Sequence, residues 1–113
     1  MTISKKLTTI AGSLAVAAGM SLGAAHAQET QVVKLGFAAP LTGPQAHYGE
    51  DMRNGLQLAI EEANEQGIEV DGKVAQFELV SRDDQADPRT AVQVAQQIVD
   101  EGVDGILGHF NSG

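Results

Sequence analysis

Two short stretches of this chain concentrate side chains suited to holding a small molecule. In the first, Gly43-Pro44 makes a rigid turn and Tyr48-Gly49 opens the helical stretch that follows. An aromatic ring at that point can line a pocket with its hydroxyl towards water, or it can pack as a hydrophobic staple on its own helix. In the second, His109-Phe110-Asn111-Ser112-Gly113 follows an apolar run, where a chain of alternating strands and helices would begin its next helix. Unpaired amides and a positive dipole end, beside the Ser112 hydroxyl, would make a seat for a carboxylate. The same hydroxyl could instead simply cap that helix. His109 at a strand end suits a hydrogen-bonded structural role better than that of a base, and His47 suits an exposed loop.

Other chemistries find less support. Asp83-Asp84 could begin a site for a hard cation or an acidic phosphoacceptor pocket, but no further carboxylate motif accompanies the pair, and Asp83 fits loop chemistry leading to a helix cap at Asp87. Neither G-x-G-x-x-G nor G-x-x-x-x-G-K-[ST] occurs, which disfavours nucleotide binding. Ser112 lacks the G-x-S-x-G context of a hydrolase nucleophile. We therefore expect no catalytic residue, no metal ligand and no cofactor.

The elements that must position these residues follow from periodicity. Val32 to Ala38 is a short, apolar, β-branched run and reads as a buried strand, with Gly36 marking a close backbone approach. Ala39 to His47 reads as loop. The helix after it carries Met52, Leu56, Ala59, Ile60 and Ala63 on one stripe, and Gly67 followed by Ile68 closes it. Asp71-Gly72 signals a turn, and Val74 to Val80 reads as the second strand. Asp87 and Pro88 occupy the N-cap and first position of a second helix bearing Ala91, Val92, Val94, Ala95, Ile98 and Val99. A third strand is expected from Val103 to Leu107 or Gly108. The order β-α-β-α-β predicts an α/β fold with parallel strands and right-handed crossovers, and ligands in such sheets bind beyond the carboxyl ends of the strands.

Composition narrows the partners. The first 27 residues have the form of a secretory signal peptide: Lys5 and Lys6, a small apolar segment to Gly23, and Ala25-His26-Ala27 as cleavage site, giving a mature start at Gln28. The apolar segment falls short of the roughly 20 strongly apolar residues of a spanning helix, so no membrane insertion is expected after cleavage. Residues 28–113 then carry five basic against fifteen acidic side chains, a formal charge of −10 that makes nucleic acid an improbable partner. The chain has no cysteine, hence neither disulfides nor the acceptor of a lipoprotein anchor, and a freely diffusing periplasmic protein is expected. Ending just after an apolar strand, the chain reads as a partial domain of residues 28–113.

The strings APLTGPQAHYGEDMRNGLQLAIEEANEQG and DDQADPRTAVQVAQQIVDEGVDGILGHFNSG resemble the N-terminal lobe of the branched-chain amino acid binding proteins of ABC importers, over about residues 31 to 113. The single Gly67 departs from the double glycine that such proteins often carry, which should alter only the turn. The resemblance implies a type I periplasmic binding protein, with two Rossmann-like lobes closing over a leucine, isoleucine or valine ligand. It implies that Ser112 meets the ligand carboxylate, that Tyr48 covers its apolar side chain and that Asn111 sits beside the carboxylate seat. It further implies a second lobe supplying the acid for the ammonium group, a membrane permease as partner and a monomeric state. Receptors of the same fold for amides, urea or aromatic acids, or a sensory receptor without transport, are the alternatives.

Overall fold

The computed structural model describes residues 28–113, so the expected signal peptide lies outside the described residues. Strand β1 (Thr30–Ala39) leads through a loop to helix α1 (Ala46–Gln66). A short strand β2 (Glu69–Val70) and the long strand β3 (Lys73–Asp83) follow, then helix α2 (Pro88–Asp100) and strand β4 (Gly105–Gly108). The four strands form one sheet in the order β2-β3-β1-β4. β1 is central and runs parallel to both β3 and β4. Chain order thus reverses between the first and second crossover, and right-handed connections in opposite directions put α1 and α2 on opposite faces of the sheet.

The expected α/β architecture is present with one addition. The Asp71-Gly72 turn closes an antiparallel hairpin in which Val70 pairs with Lys73, so the sheet is mixed instead of wholly parallel. Asp71 and Gly72 both take positive φ, 51° and 75°, as a tight hairpin turn requires. A two-residue strand of Glu and Val has no periodicity to read, and the sequence offers only its turn. β4 begins at Gly105, later than Val103. Asp104 explains this: its N–H donates to the Lys34 carbonyl at 2.8 Å, while its own carboxylate accepts the Lys34 N–H at 2.9 Å. The side chain does there what the next backbone carbonyl would do in a ladder.

The core sits where β1 ends. Phe37, Ala38 and Ala39 are all fully buried. Ala38 packs with Val94 and Ile98 of α2, with Val103 beside them. Side chains alternate along a strand, so Phe37 and Ala39 serve the opposite, α1 face. Gly36 is required by contact: a Cβ there would lie 2.3 Å from Ile98 Cγ2. Burying Ile98 completely contributes about 2 kcal/mol, and a side chain at residue 36 would displace it.

The helices are capped differently. Asp87 holds the N-cap of α2, with Oδ1 accepting the Thr90 N–H at 2.8 Å, and Pro88 opens the helix as the sequence predicts. α1 starts at Ala46, two residues before Tyr48, and the Gln45 side chain makes no cap. Its expected stripe is buried only at Ile60, whereas Met52 and Ala59 are exposed. Asn64 compensates: its side chain donates to the Phe77 carbonyl at 3.0 Å and accepts the Phe77 N–H at 2.8 Å, tying α1 to β3 by a polar pair.

Candidate functional site

Parallel pairing brings three loops to one edge. Ala39 lies opposite Asp83 and Ala38 opposite Gly108, so residues 40–45, 84–87 and 109–113 all leave the sheet at the carboxyl ends of its parallel strands. The loop after β3 is the middle support. Asp83 Oδ1 accepts the Leu41 and Gln85 N–H groups, each at 2.8 Å, and Oδ2 accepts the Thr42 hydroxyl at 2.5 Å. Desolvation works against charge on this carboxyl, but the donors Thr42, Leu41 and Gln85 together outweigh it and hold Asp83 below the usual carboxylate range.

Asp84 points elsewhere. It is 2% exposed, its Oδ1 accepts the Ala86 N–H at 3.0 Å, and its Oδ2 lies 2.7 Å from His109 Nδ1, which acts as donor to the carboxylate. Gln85 and Ala86 both take φ near +55°, a left-handed conformation that costs about 1–2 kcal/mol per residue. The two aspartates offset that cost, each accepting the amide two residues ahead.

The remaining side chains join the outer loops to each other. Tyr48 stacks on Phe110, with ring centroids 4.9 Å apart and planes 16° from parallel. His47 leans against the Tyr48 ring at 3.9 Å. Asn111 Nδ2 donates to Gln45 Oε1 at 2.9 Å. Gly49 lets α1 approach the loop after β1, since a Cβ there would stand 1.8 Å from the Pro40 carbonyl oxygen. The two stretches singled out from the sequence are therefore neighbours in space. Tyr48 is neither purely a staple on its own helix nor free, because its ring stacks on Phe110 and the residue is half-exposed.

A cleft of about 470 Å³ opens between the start of α2 and residues 109–113, lined among others by Asp84, Pro88, Ala91, His109, Asn111 and Ser112. Asn111 and Ser112 line this space, whereas Tyr48 and Phe110 do not. Residues 109–113 are irregular, with bends at Phe110 and Asn111, and Ser112 is exposed. No group of three His, Cys, Asp or Glu side chains that could hold a metal ion occurs among the described residues. The Asp83 and Asp84 oxygens are instead committed to amides, Thr42 and His109.

Sequence reasoning missed Phe110, Gln45 and the Asp84–His109 pair. A usable signal existed: parallel strands ending in register oblige their loop residues to meet, and Asp84 and His109 are each the first or second residue past such an end.

Comparison with known proteins agrees with the fold. Residues 32–113 match the model of a periplasmic binding protein family. Leu/Ile/Val-binding protein homolog 2 of Brucella abortus (strain 2308) is 44% identical over 81 residues, which cover 72% of this chain and 21% of that protein. Among solved structures, the branched-chain amino acid transporter substrate binding protein LivJ from Streptococcus pneumoniae, in complex with isoleucine, superposes with a TM-score of 0.62 at 32% identity, over 70% of this chain and 22% of that one. A solute binding protein of an ABC transporter from Rhodopseudomonas palustris BisB5, in complex with 3,4-dihydroxybenzoic acid, gives a TM-score of 0.53 at 34% identity, over 66% and 20% of the two chains. The chain thus spans about a fifth of the length of these proteins. With the match running from β1 to the last residue of the Ser112 turn, the chain belongs to the periplasmic binding protein family and resembles, within it, the branched-chain amino acid substrate-binding proteins of ABC transporters.

Proposed function

We propose that residues 28–113 form part of the amino-terminal lobe of a periplasmic solute-binding component of an ABC importer, which captures leucine, isoleucine or valine and presents it to a membrane permease. The observation that carries this reading is the meeting of the Tyr48 and Ser112 stretches at the carboxyl ends of β1 and β4, in a chain whose relatives bear Leu/Ile/Val-binding names. In this reading the Ser112 hydroxyl and the neighbouring amides take the ligand carboxylate, Asn111 braces that seat through Gln45, and the exposed part of Tyr48 covers the aliphatic side chain. A buried ammonium needs a partner, since burying it alone is costly. The resemblance supplies one from a second lobe, closing on the zwitterion in a hinge motion. The ligand acts by its higher affinity for the closed form, and no bond is made or broken.

The complex of the Rhodopseudomonas relative with 3,4-dihydroxybenzoic acid favours one second reading, an aromatic acid in place of an amino acid. The carboxylate is common to both, so the same seat would serve and the apolar side would differ. Calorimetric titration of the complete mature protein with leucine, phenylalanine, glutamate, an aliphatic amide and 3,4-dihydroxybenzoic acid separates them. Leucine binding weakened about tenfold or more by Ser112→Ala is the expected result, the loss of one hydrogen bond to a charged group. Binding of the aromatic acid alone would move the assignment to the second reading.

A further inference from the structure

We infer that Asp84 and His109 are positioning residues for the carboxylate seat, acting on ligand affinity through the placement of Ser112; the inference rests on the reading of that seat given above. Asp84 is buried at the base of the cleft, fixed from below by its place in the chain: its N–H donates to the Ala39 carbonyl at 3.1 Å, and its own carbonyl accepts the Asp87 N–H at 3.0 Å. With its Oδ1 held by the Ala86 amide, only Oδ2 is left to reach across, and it reaches His109 at 2.7 Å. That contact joins β3 to the segment after β4, two strands that are not neighbours in the sheet, because β1 lies between them. Among the described residues no backbone hydrogen bond makes that connection.

The placement matters because, among the described residues, β4 gives the seat little other support. It is four residues long and is paired there with β1. Ser112 follows His109 by three residues, and the side chains between them hold to α1 and the residue before it: Phe110 to Tyr48 and Asn111 to Gln45. Among the described residues, His109 is thus the side chain in the run that ties the seat to the sheet's interior. A hydrogen bond to a buried carboxylate is among the stronger polar contacts a side chain makes. Pre-fixing the seat removes an ordering cost that binding would otherwise bear.

The function of a carboxylate seat sets the signature. Every α-amino acid presents the same carboxylate, so loosening the seat should weaken all of them by one factor, whereas loosening the aromatic side should change the ratio between large and small side chains. In the complete protein, His109→Leu is expected to raise the Kd for leucine, valine and alanine by a common factor of about ten, with the leucine-to-alanine ratio and the binding stoichiometry unchanged. His109→Gln, whose amide can still donate to Asp84, should recover most of that loss. Tyr48→Ala is the contrast and should raise the leucine-to-alanine ratio of Kd values. The ligand-free protein offers an independent readout: backbone ¹⁵N order parameters at Asn111 and Ser112 should fall in His109→Leu, and those at Leu41 and Thr42 should stay.

Unchanged Kd values with unchanged order parameters in His109→Leu would overturn the inference, as would a loss equal in the Gln and Leu variants. If the parent protein binds none of these amino acids, the ligand reading falls. The order parameters then judge the clamp alone, a fall at Ser112 supporting it and no change rejecting it. His109 is partly exposed and can be replaced without opening the core, so the test does not depend on Asp84 variants folding.

Discussion

The loop after β1 and the segment after β4 reach the same place by opposite means. Residues 40–45 leave a strand whose last three residues are fully buried, and their backbone is gripped directly: Asp83 takes the Leu41 amide and the Thr42 hydroxyl, and α1 presses Gly49 onto Pro40. Among the described residues, 109–113 follow the short strand β4 and are gripped by side chains, His109 to Asp84, Phe110 to Tyr48 and Asn111 to Gln45. A backbone held by amides keeps its shape through most substitutions, whereas a turn held by three side chains is sensitive to each. Affinity should therefore be tuned on the β4 side and stability on the β1 side.

The largest break in that comparison is Gly49→Ala. The added methyl would overlap the Pro40 carbonyl oxygen, a backbone atom that cannot rotate away, so α1 must shift or the loop must move. Overpacking of this kind costs about 1–3 kcal/mol and occasionally more, and a backbone clash belongs at the upper end. The expected outcome in urea denaturation of the complete protein is a lower midpoint with an unchanged slope. Gly55→Ala is the control. It lies on the same helix with nothing near its Cβ position, and should be neutral or slightly stabilising. Equal effects at the two glycines would mean that the loop after β1 is not fixed by contact.

How much of this could be read from the sequence follows from what each element depends on. The cap and course of α2 were legible, because Asp87 and Pro88 are local signals and the structure uses them locally, although only Val94 and Ile98 of its apolar set are buried and Val92 and Val99 are exposed. β1, β3 and the closing Gly67 of α1 were legible for the same reason. The start of α1 was not, since Gln45 caps nothing and the helix is set by packing at Gly49 and by the Asn64–Phe77 pair across the sheet. β2 depends on pairing alone. Of the candidate site, the residue types were legible and their partners were not: Phe110 looks like any apolar residue until the register of β1 with β4 sets it against Tyr48.

A smaller break tests the aromatic contact. Stacked pairs contribute about 0.5–1.5 kcal/mol beyond the area they bury. Phe110→Ala and Tyr48→Ala should each destabilise the complete protein modestly, and the double variant should recover about 1 kcal/mol of the sum, as expected for residues in contact. The leucine Kd is the sharper measure. The ligand contacts are assigned to Tyr48, Asn111 and Ser112, so a rise in Kd with Phe110→Ala reports the displacement of these neighbours. Additive energies in the cycle would mean that the ring stacking does not join the two loops in solution.

The smallest expected effect lies at Asp83 and appears only in acid. An unfolded aspartate ionises near pH 3.9, and the folded Asp83 carboxyl ionises lower: desolvation opposes its charge, and the donors Thr42, Leu41 and Gln85 more than compensate. Its charge therefore contributes stability that is fully present above about pH 4 and is lost as the pH falls through the lower, folded value. Asp83→Asn keeps an oxygen for the Leu41 and Gln85 amides but has no proton to gain in this range. Its stability should lie slightly below that of the parent at neutral pH, and the gap should close towards pH 2, as followed by thermal unfolding at a series of pH values. Asp83 is partly solvated, so the difference should amount to no more than a few degrees in Tm. A gap that stays constant from pH 7 to pH 2 would show that Asp83 holds the loop by shape alone, and that the β1 side owes its rigidity to Gly49 and the buried strand end instead of to charge.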